Sequence, residues 1–262
     1  FLEYNQNRTS GNMESIWVMQ LEYDTNGGGG KYEDWTKRAW VPKYWNETGF
    51  TLCDSLGGRG LAQIVPFKWW IDEDGFYTAN DVRNSKYNIK RTWYYNNPET
   101  PELLGKEAPV TESTWSKCTI YPVITKFFYG KTDDSPSYEG NNKDRMKFRL
   151  AETYLLLAEA RIRQNNASGA AEAINVVRKR AGAPDITASQ ATMDFLLDER
   201  IRELVGEELR RLTLVRTGKL VERTRKYNSY SNKIDEHHAL GPIPQTIIDS
   251  NTGADFPQNT GY

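Results

Sequence analysis

Three blocks of helical sequence between Arg149 and Gly218 constrain the fold more than any other feature of the chain. Each block has apolar residues at the spacing of one helix face, and the last block alternates acidic residues with arginine. Such patterns predict amphipathic helices that pack together, because each helix has to bury its apolar face. No reaction motif accompanies the blocks, so we interpret this part of the chain as a scaffold. The blocks read RLAETYLLLAEARIRQ, AAEAINVVRKRAG and FLLDERIRELVGEELRRLTLVRTGK.

The first two blocks predict a helical hairpin. One helix is expected over residues 144–165, and its apolar segment Tyr154–Ala158 predicts burial on most sides. Ser168 is expected to cap a second helix over residues 169–181, which Gly182 ends. The pair has the length and the small-residue spacing of a tetratricopeptide-like hairpin.

A third helix is expected from about Ser189, and its apolar stripe resumes beyond Gly206 if the helix continues. Glu208 then projects onto that stripe, where a bare carboxylate is costly. We therefore expect either a partner for Glu208 or a break in the helix near Gly206. Taken alone, the alternating charges are more typical of a solvated helix face. Pairs with the i,i+3 or i,i+4 spacing of ion pairs are Asp198–Arg202, Glu207–Arg211 and Glu208–Arg211.

The chain before residue 143 differs in composition. All eight tryptophans precede residue 116, and short strand-like segments replace the helical periodicity. We therefore predict two regions, a loop-rich one over residues 1–142 and a helical one with an extended tail over residues 143–262. Regular structure is expected to fade after residue 222, apart from a helical turn at 245–250. The strand-like segments are residues 15–23, 92–95 and 119–128.

Charge and rare residues exclude several classes of protein. With 34 basic and 35 acidic residues the net charge is -1, which favours neither nucleic acid nor a charged membrane surface as a partner. The two histidines, His237 and His238, offer little material for a zinc site or a histidine-based triad. Cys53 and Cys118 could form a disulfide or be small buried apolar residues. We predict no metal, no cofactor and no catalytic residue.

Five short motifs in the second half resemble those of the SusD/RagB family, in the same order and spacing over residues 147–262. The first half is similar more loosely, at Gly57–Gly60, Asp81–Arg83 and Tyr121–Val123. The five motifs are LAETYLLLAEA at 150–160, AINVVRKRAG at 173–182, DER with REL and GE at 198–207, LVRTG at 214–218, and GPIPQ with QNTGY at 241–262.

The resemblance implies a mainly α fold, a tetratricopeptide-like helical scaffold (an α-α superhelix) with a loop-rich region of short β elements. Family members are lipid-anchored on the outer-membrane surface of Bacteroidetes-type bacteria, where they bind glycans or, in some cases, peptides. They deliver the ligand to a TonB-dependent transporter of the SusC type, without catalysis. A complete member has a lipoprotein cysteine and further helices before the position of Phe1. We therefore expect the lipid anchor and the N-terminal part of the full protein to be absent from this chain.

Two aromatic clusters are the candidate ligand-binding residues, because sugar sites combine aromatic rings with amide or charged side chains. A single tryptophan is more often a core residue than a binding platform. At least one of the two clusters is nevertheless expected to be exposed and to face a ligand. The first cluster is Trp35, Trp40, Tyr44, Trp45 and Asn46, and the second is Trp93, Tyr94 and Asn96.

Three other functions remain open on the sequence. The chain could be a peptide-binding member of the same family, or an adaptor whose helical repeats bind protein partners. It could also be a glycoside hydrolase with two catalytic carboxylates. Its best-organised acids lie among arginines, which lower the pKa of a carboxyl group and make it a poor general acid.

Overall fold

The computed structural model describes residues 9, 11–28, 34–72, 75–128, 140 and 142–262. The chain forms two compact units, Phe1–Val205 and Gly206–Tyr262. The boundary expected between residues 142 and 143 lies inside the first unit. No helix within the described ranges has the length and apolar character that a membrane span needs.

The strands of the first unit are short and form antiparallel two-stranded sheets. Each pair is small because turns rich in Gly, Asn and Pro interrupt the extended segments. The strand-like segments expected from the sequence each contain one of these strands, although every strand is shorter than its segment. The pairs are β1 (Ser15–Met19) with β6 (Arg145–Arg149), β2 (Ile89–Lys90) with β5 (Val123–Ile124), and β3 (Trp93–Tyr94) with β4 (Glu107–Ala108).

Among the described residues, three short α-helices lie in the loop-rich region and three longer ones follow it, which confirms the mainly helical class. The short helices are α1 (Thr36–Trp40), α2 (Lys68–Ile71) and α3 (Glu112–Ser116). The longer helices are α4 (Leu150–Arg163), α5 (Ala167–Arg180) and α6 (Met193–Leu204).

Helices α4 and α5 form the expected hairpin, with two corrections at its ends. Residues 145–149 belong to β6 rather than to the first helix, because they pair with β1 and Val18 lies opposite Met146. The cap of α5 is Asn166 instead of Ser168: its Oδ1 accepts a hydrogen bond from the backbone N–H of Gly169 at 2.9 Å. An asparagine oxygen in this position satisfies one of the helix's unpaired N–H groups.

The hairpin core lies on one side of α4. Leu155, Ala158 and Ile174 are buried at the contact of α4, α5 and α6, where alanines allow the helix backbones to approach closely. Leu156 and Leu157 point away from this core and are exposed. The expected burial of α4 on most sides is therefore wrong, because the described residues cover only one of its faces.

A second core fills the loop-rich region, where aromatic rings take the place of long helices. Tyr44 and Trp93 pack at 5.7 Å between ring centroids. Their neighbour Tyr121 accepts a hydrogen bond at its backbone oxygen from Trp93 Nε1 at 3.1 Å, and its hydroxyl donates to the backbone oxygen of Trp40 at 3.0 Å. Because the indole N–H and the phenol hydroxyl have hydrogen-bond partners, burial of these rings leaves neither polar group unsatisfied. Cys53 and Cys118 form no disulfide.

The second unit contains α7 (Arg210–Arg216), α8 (Leu220–Tyr227) and α9 (Gln245–Ser250). Helix α9 confirms the expected helical turn, whereas α8 extends regular structure past residue 222. The chain breaks after α6, and Gly206 adopts a φ of 77°, which favours glycine. The side chain of Glu208 is buried but paired, since Arg210 Nη1 lies 3.0 Å and the Thr213 hydroxyl 3.1 Å from its carboxylate. Both outcomes expected for Glu208 are confirmed.

Candidate functional site

Two carboxylates of α6, one turn apart, are buried at the centre of the first unit. Glu199 is fully buried, and its Oε2 accepts hydrogen bonds from Nη1 of Arg178 and from Nη1 of Arg202, each at 2.9 Å. Its Oε1 lies 2.9 Å from Nη1 of Arg83. The charged stretch of α6 is thus an internal contact, and the solvated face expected from its alternating charges is wrong. Burial requires such pairing, since an isolated carboxylate is strongly destabilised away from water.

Glu203 is the second buried carboxylate and connects more elements. Arg149 Nη1 donates to its Oε1 at 2.6 Å and Arg83 Nη1 donates to its Oε2 at 3.1 Å, while Arg180 also pairs with Oε1. Burial by itself raises the pKa of Glu203, but Arg149, Arg180, Lys126 and Arg83 lower it from 4.5 to about 2. Glu203 is therefore ionised at neutral pH and holds no proton to donate as a general acid.

Arg83 belongs to the Asp81–Arg83 motif, whose two charged side chains pair with each other in the structure. Its Nε and Nη2 donate to the two oxygens of Asp81 at 2.8 and 2.7 Å, a bidentate pair. Burial lowers the pKa of the guanidinium, but Asp81, Glu199 and Glu203 raise it above its ordinary value. We call the whole set the arginine–carboxylate cluster. Its members are Asp81, Arg83, Arg149, Arg178, Arg180, Glu199, Arg202 and Glu203.

A cavity of about 500 Å³ lies beside the arginine–carboxylate cluster. Lys126 lines it and donates from Nζ to the backbone oxygen of Glu203 at 2.8 Å. A cation is favourable there because the last carbonyls of α6 carry partial negative charge. The lining residues are Gly11, Asn12, Met13, Glu14, Arg83, Asn88, Lys126, Met146, Arg149, Arg180, Arg202 and Glu203.

The first predicted aromatic cluster is divided between core and surface. Trp40 and Tyr44 are buried, so they offer no ring face to a sugar and are core residues in this structure. Trp45 is half-buried, with its Nε1 donating to the backbone oxygen of Gly60 at 3.0 Å. Trp35 is 55% exposed, with the guanidinium of Arg38 at 4.7 Å from its ring centroid. Asn46 is exposed as well.

The second predicted cluster is divided in the same way. Trp93 is buried whereas Tyr94 is 48% exposed, because neighbouring residues of a strand point to opposite faces. Asn96 is half-buried and exchanges hydrogen bonds of 2.9 Å with the backbone N–H and oxygen of Thr51. A ligand-binding role for the exposed residues stays a prediction. Tyr44 and Trp93 connect the two clusters, and this contact lies in the core rather than at a binding surface.

Sequence reasoning missed one exposed aromatic pair. Trp17 of β1 and Phe148 of β6 lie opposite each other and stack at 5.7 Å between centroids, with 58% and 51% of their surfaces exposed. Nothing in the local sequence links them, because the pair depends on the register of two strands that are distant along the chain.

Among the described residues no group of three or more His, Cys, Asp or Glu is arranged to hold a metal ion.

Comparison with known proteins decides the family. The model of the SusD family matches residues 4–262. The chain belongs to the SusD family. One SusD relative is the SusD-like protein P25 of Formosa agariphila, 31% identical over 134 residues that cover 47% of this chain and 25% of that protein. Another is the starch-binding protein SusD of Bacteroides thetaiotaomicron, 36% identical over 122 residues that cover 44% of this chain and 21% of that protein.

A solved structure extends the comparison to the fold. It is the surface glycan-binding protein A of Bacteroides thetaiotaomicron in complex with laminarihexaose, which matches with a TM-score of 0.62 at 24% identity. The match covers 94% of this chain and 52% of that protein. The chain therefore has the SusD-like fold, and it spans about a quarter or less of the two sequence relatives and about half of the solved structure.

Proposed function

We propose that this chain is part of a cell-surface protein that binds an oligosaccharide and delivers it to a TonB-dependent transporter of the outer membrane. The observation that carries the proposal is the family match over residues 4–262, together with 36% identity to a relative named as a starch-binding protein. That relative and the solved neighbour are both described as binding proteins, so binding without catalysis is the activity they favour.

Trp35 and Tyr94 are the aromatic rings that we propose to contact the glycan. Each exposes about half of its surface, at 55% and 48%, so a ring face is accessible to the C–H groups of a sugar. Asn46 follows Trp35 in the chain and is also exposed. We propose that its amide hydrogen-bonds sugar hydroxyls. Trp40, Tyr44 and Trp93 support the site from the core instead of touching the ligand.

Isothermal titration calorimetry against a panel of neutral oligosaccharides, with starch and laminarin fragments included, tests the glycan proposal. We expect Trp35→Ala and Tyr94→Ala to weaken binding by about two- to tenfold each, the loss that one aromatic contact accounts for. Tyr87→Ala is the matched control, since Tyr87 is exposed but lies outside both clusters. Unchanged affinity in both variants would remove these rings from the site. Failure of the wild-type chain to bind any glycan, with binding to peptides, would instead favour the peptide-binding alternative.

The alternative function as a glycoside hydrolase can be tested with one assay, the release of reducing sugar. The best-organised carboxylates, Glu199 and Glu203, each bind several guanidinium groups, which suits a structural contact better than a general acid. We expect no reducing sugar to be released when the chain is incubated with the oligosaccharides that it binds. Release of reducing sugar would establish an enzyme.

Delivery to a SusC-like transporter and a lipid-anchored position on the outer-membrane surface complete the proposal. Membership of the family supports both, and both concern the whole protein. Co-purification of the full-length protein with a β-barrel transporter from solubilised outer membranes is the expected result. Recovery of the full-length protein in the soluble fraction, without a transporter, would contradict this part.

A further inference from the structure

The two-stranded sheet of β3 and β4 has one buried and one exposed face. Trp93 lies opposite Ala108 and both are buried, whereas the next pair, Tyr94 and Glu107, is exposed. Directly opposed residues of an antiparallel pair point to the same face, with their Cβ atoms about 4.5–5.5 Å apart. The side chain of Glu107 therefore leaves the sheet on the same exposed face as the Tyr94 ring.

The strand register also changes which polar residue accompanies the Tyr94 ring. Asn96, the amide expected from the sequence to serve this cluster, already exchanges hydrogen bonds of 2.9 Å with the backbone of Thr51. The carboxylate of Glu107 forms no ion pair or hydrogen bond with any residue that the structure describes. Glu107, rather than Asn96, is thus the polar partner that the register gives to Tyr94.

The hairpin that carries this pair has more acidic than basic side chains. Residues 95–108 contain Glu99, Glu102 and Glu107 but one cation, Lys106, and all four side chains are exposed. A carboxylate repels a second negative charge at about 4 Å even in water, and more strongly where a ligand excludes water. The surface beside Tyr94 therefore disfavours an anionic ligand.

An uncharged sugar unit matches the Tyr94–Glu107 pair. Its ring C–H groups can pack on the phenol ring while its hydroxyls donate hydrogen bonds. An ionised carboxylate has two oxygens that only accept, so it can serve two neighbouring hydroxyls at once. Such charge-assisted hydrogen bonds are stronger than those to a neutral amide. A sugar that carries its own carboxylate or sulfate would instead meet a like charge.

We infer that Glu107 determines specificity beside Tyr94: it accepts hydrogen bonds from adjacent hydroxyls of an uncharged sugar unit and repels acidic units. The identity of the ligand as a sugar rests on the proposed function. The position of the carboxylate beside the ring rests on the register of β3 and β4.

Calorimetric titration with laminarihexaose and maltohexaose, each compared with its C6-oxidised form that carries carboxylates, tests the inference. We expect the wild-type chain to bind the oxidised form at least about fivefold more weakly than the neutral form. Glu107→Gln should weaken binding of the neutral form by about two- to tenfold and remove the preference, because an amide replaces an ionised acceptor. Glu102→Gln is the matched control: it makes the same change of charge on the same hairpin, at an exposed position outside the β3–β4 pairs.

A preference for the neutral form that Glu107→Gln loses and Glu102→Gln keeps supports the inference. Equal binding of the two forms by the wild-type chain, or an unchanged preference in Glu107→Gln, overturns it. The same loss in both variants also overturns it, because the general charge of the hairpin would then be the cause. Glycan binding that Tyr94→Ala leaves unchanged overturns this inference and leaves the proposed function standing, whereas failure to bind any glycan overturns both.

Discussion

At the residue scale, buried charge in this protein is determined by partners rather than by residue type. Glu199 and Glu203 have the same i,i+4 spacing as two acids on an exposed helix face, yet both are buried because arginines from other segments reach them. Arg83 is distant from α6 along the chain and contacts both carboxylates. The role of each acid therefore depends on which segments the fold brings to it.

Gly60 shows how a single missing side chain permits close backbone packing. A Cβ at this position would lie 2.2 Å from the backbone oxygen of Val41 and 2.3 Å from that of Pro42. We expect Gly60→Ala to lower the free energy of unfolding by about 1 to 3 kcal/mol, since backbone has to move to make room. Urea denaturation followed by tryptophan fluorescence measures this change. Gly253→Ala is the control, because its Cβ would meet no atom within 4 Å; equal stability of the two variants would contradict the packing argument.

At the scale of elements, a capping side chain determines where α5 begins. Pairing with another strand keeps a segment before α4 from joining that helix. Residues 145–149 continue the periodicity of α4 in the sequence, but pairing with β1 places them in a strand. The start of α5 at Ala167 follows from the side-chain hydrogen bond of Asn166. Of the two candidate caps, Asn166 makes the capping hydrogen bond in the structure and Ser168 is the cap expected from the sequence. Substituting each in turn tests the assignment.

Asn166→Ala removes that cap and should lower the free energy of unfolding by about 1 kcal/mol. Ser168→Ala is the matched control, because Ser168 lies inside the first turn of α5. We expect its effect to stay within about 0.5 kcal/mol, as is usual for an exposed substitution. Urea titrations followed by circular dichroism at a helix wavelength compare the two. A larger loss for Ser168→Ala than for Asn166→Ala would return the cap to the position expected from the sequence.

At the scale of the whole molecule, Glu203 connects the elements of the first unit. It joins α6 to Arg83 in the loop-rich region, to Arg149 at the end of β6 and to Arg180 at the end of α5. Removal of its charge takes one buried counterion from each of these guanidinium groups, although Asp81, Glu199 and Glu14 still pair with them. We expect Glu203→Gln to lower the free energy of unfolding by about 3 to 5 kcal/mol at pH 7. Glu172→Gln, which alters an exposed pair with Arg161, is the control and should change it by less than about 1 kcal/mol.

The pH dependence of this difference identifies its cause. The pKa of Glu203 is lowered from 4.5 to about 2, so the unfolded chain binds the proton first as the pH falls. Stability from the ionised carboxylate is complete above pH 4.5 and is lost as the pH approaches about 2. The loss in the wild-type chain is on the order of 3 kcal/mol. Urea denaturation from pH 7 to pH 2 should show the wild type approaching Glu203→Gln, and a constant difference would contradict the ion-pair explanation.

The amino-acid sequence by itself determined the features that depend on neighbouring residues. Apolar spacing predicts the α4–α5 hairpin, and the motifs over residues 147–262 predict the family. The cost of a bare carboxylate at Glu208 predicts either a partner for it or a break near Gly206. Tertiary structure alone determined the rest. Trp40, Tyr44 and Trp93 became core residues while Trp35 and Tyr94 stayed exposed, and Trp17 met Phe148 only through strand register. The cavity likewise exists only after β6, α5 and α6 come together. The physical reason is that burial and charge pairing depend on contacts between distant segments, which local sequence patterns do not encode.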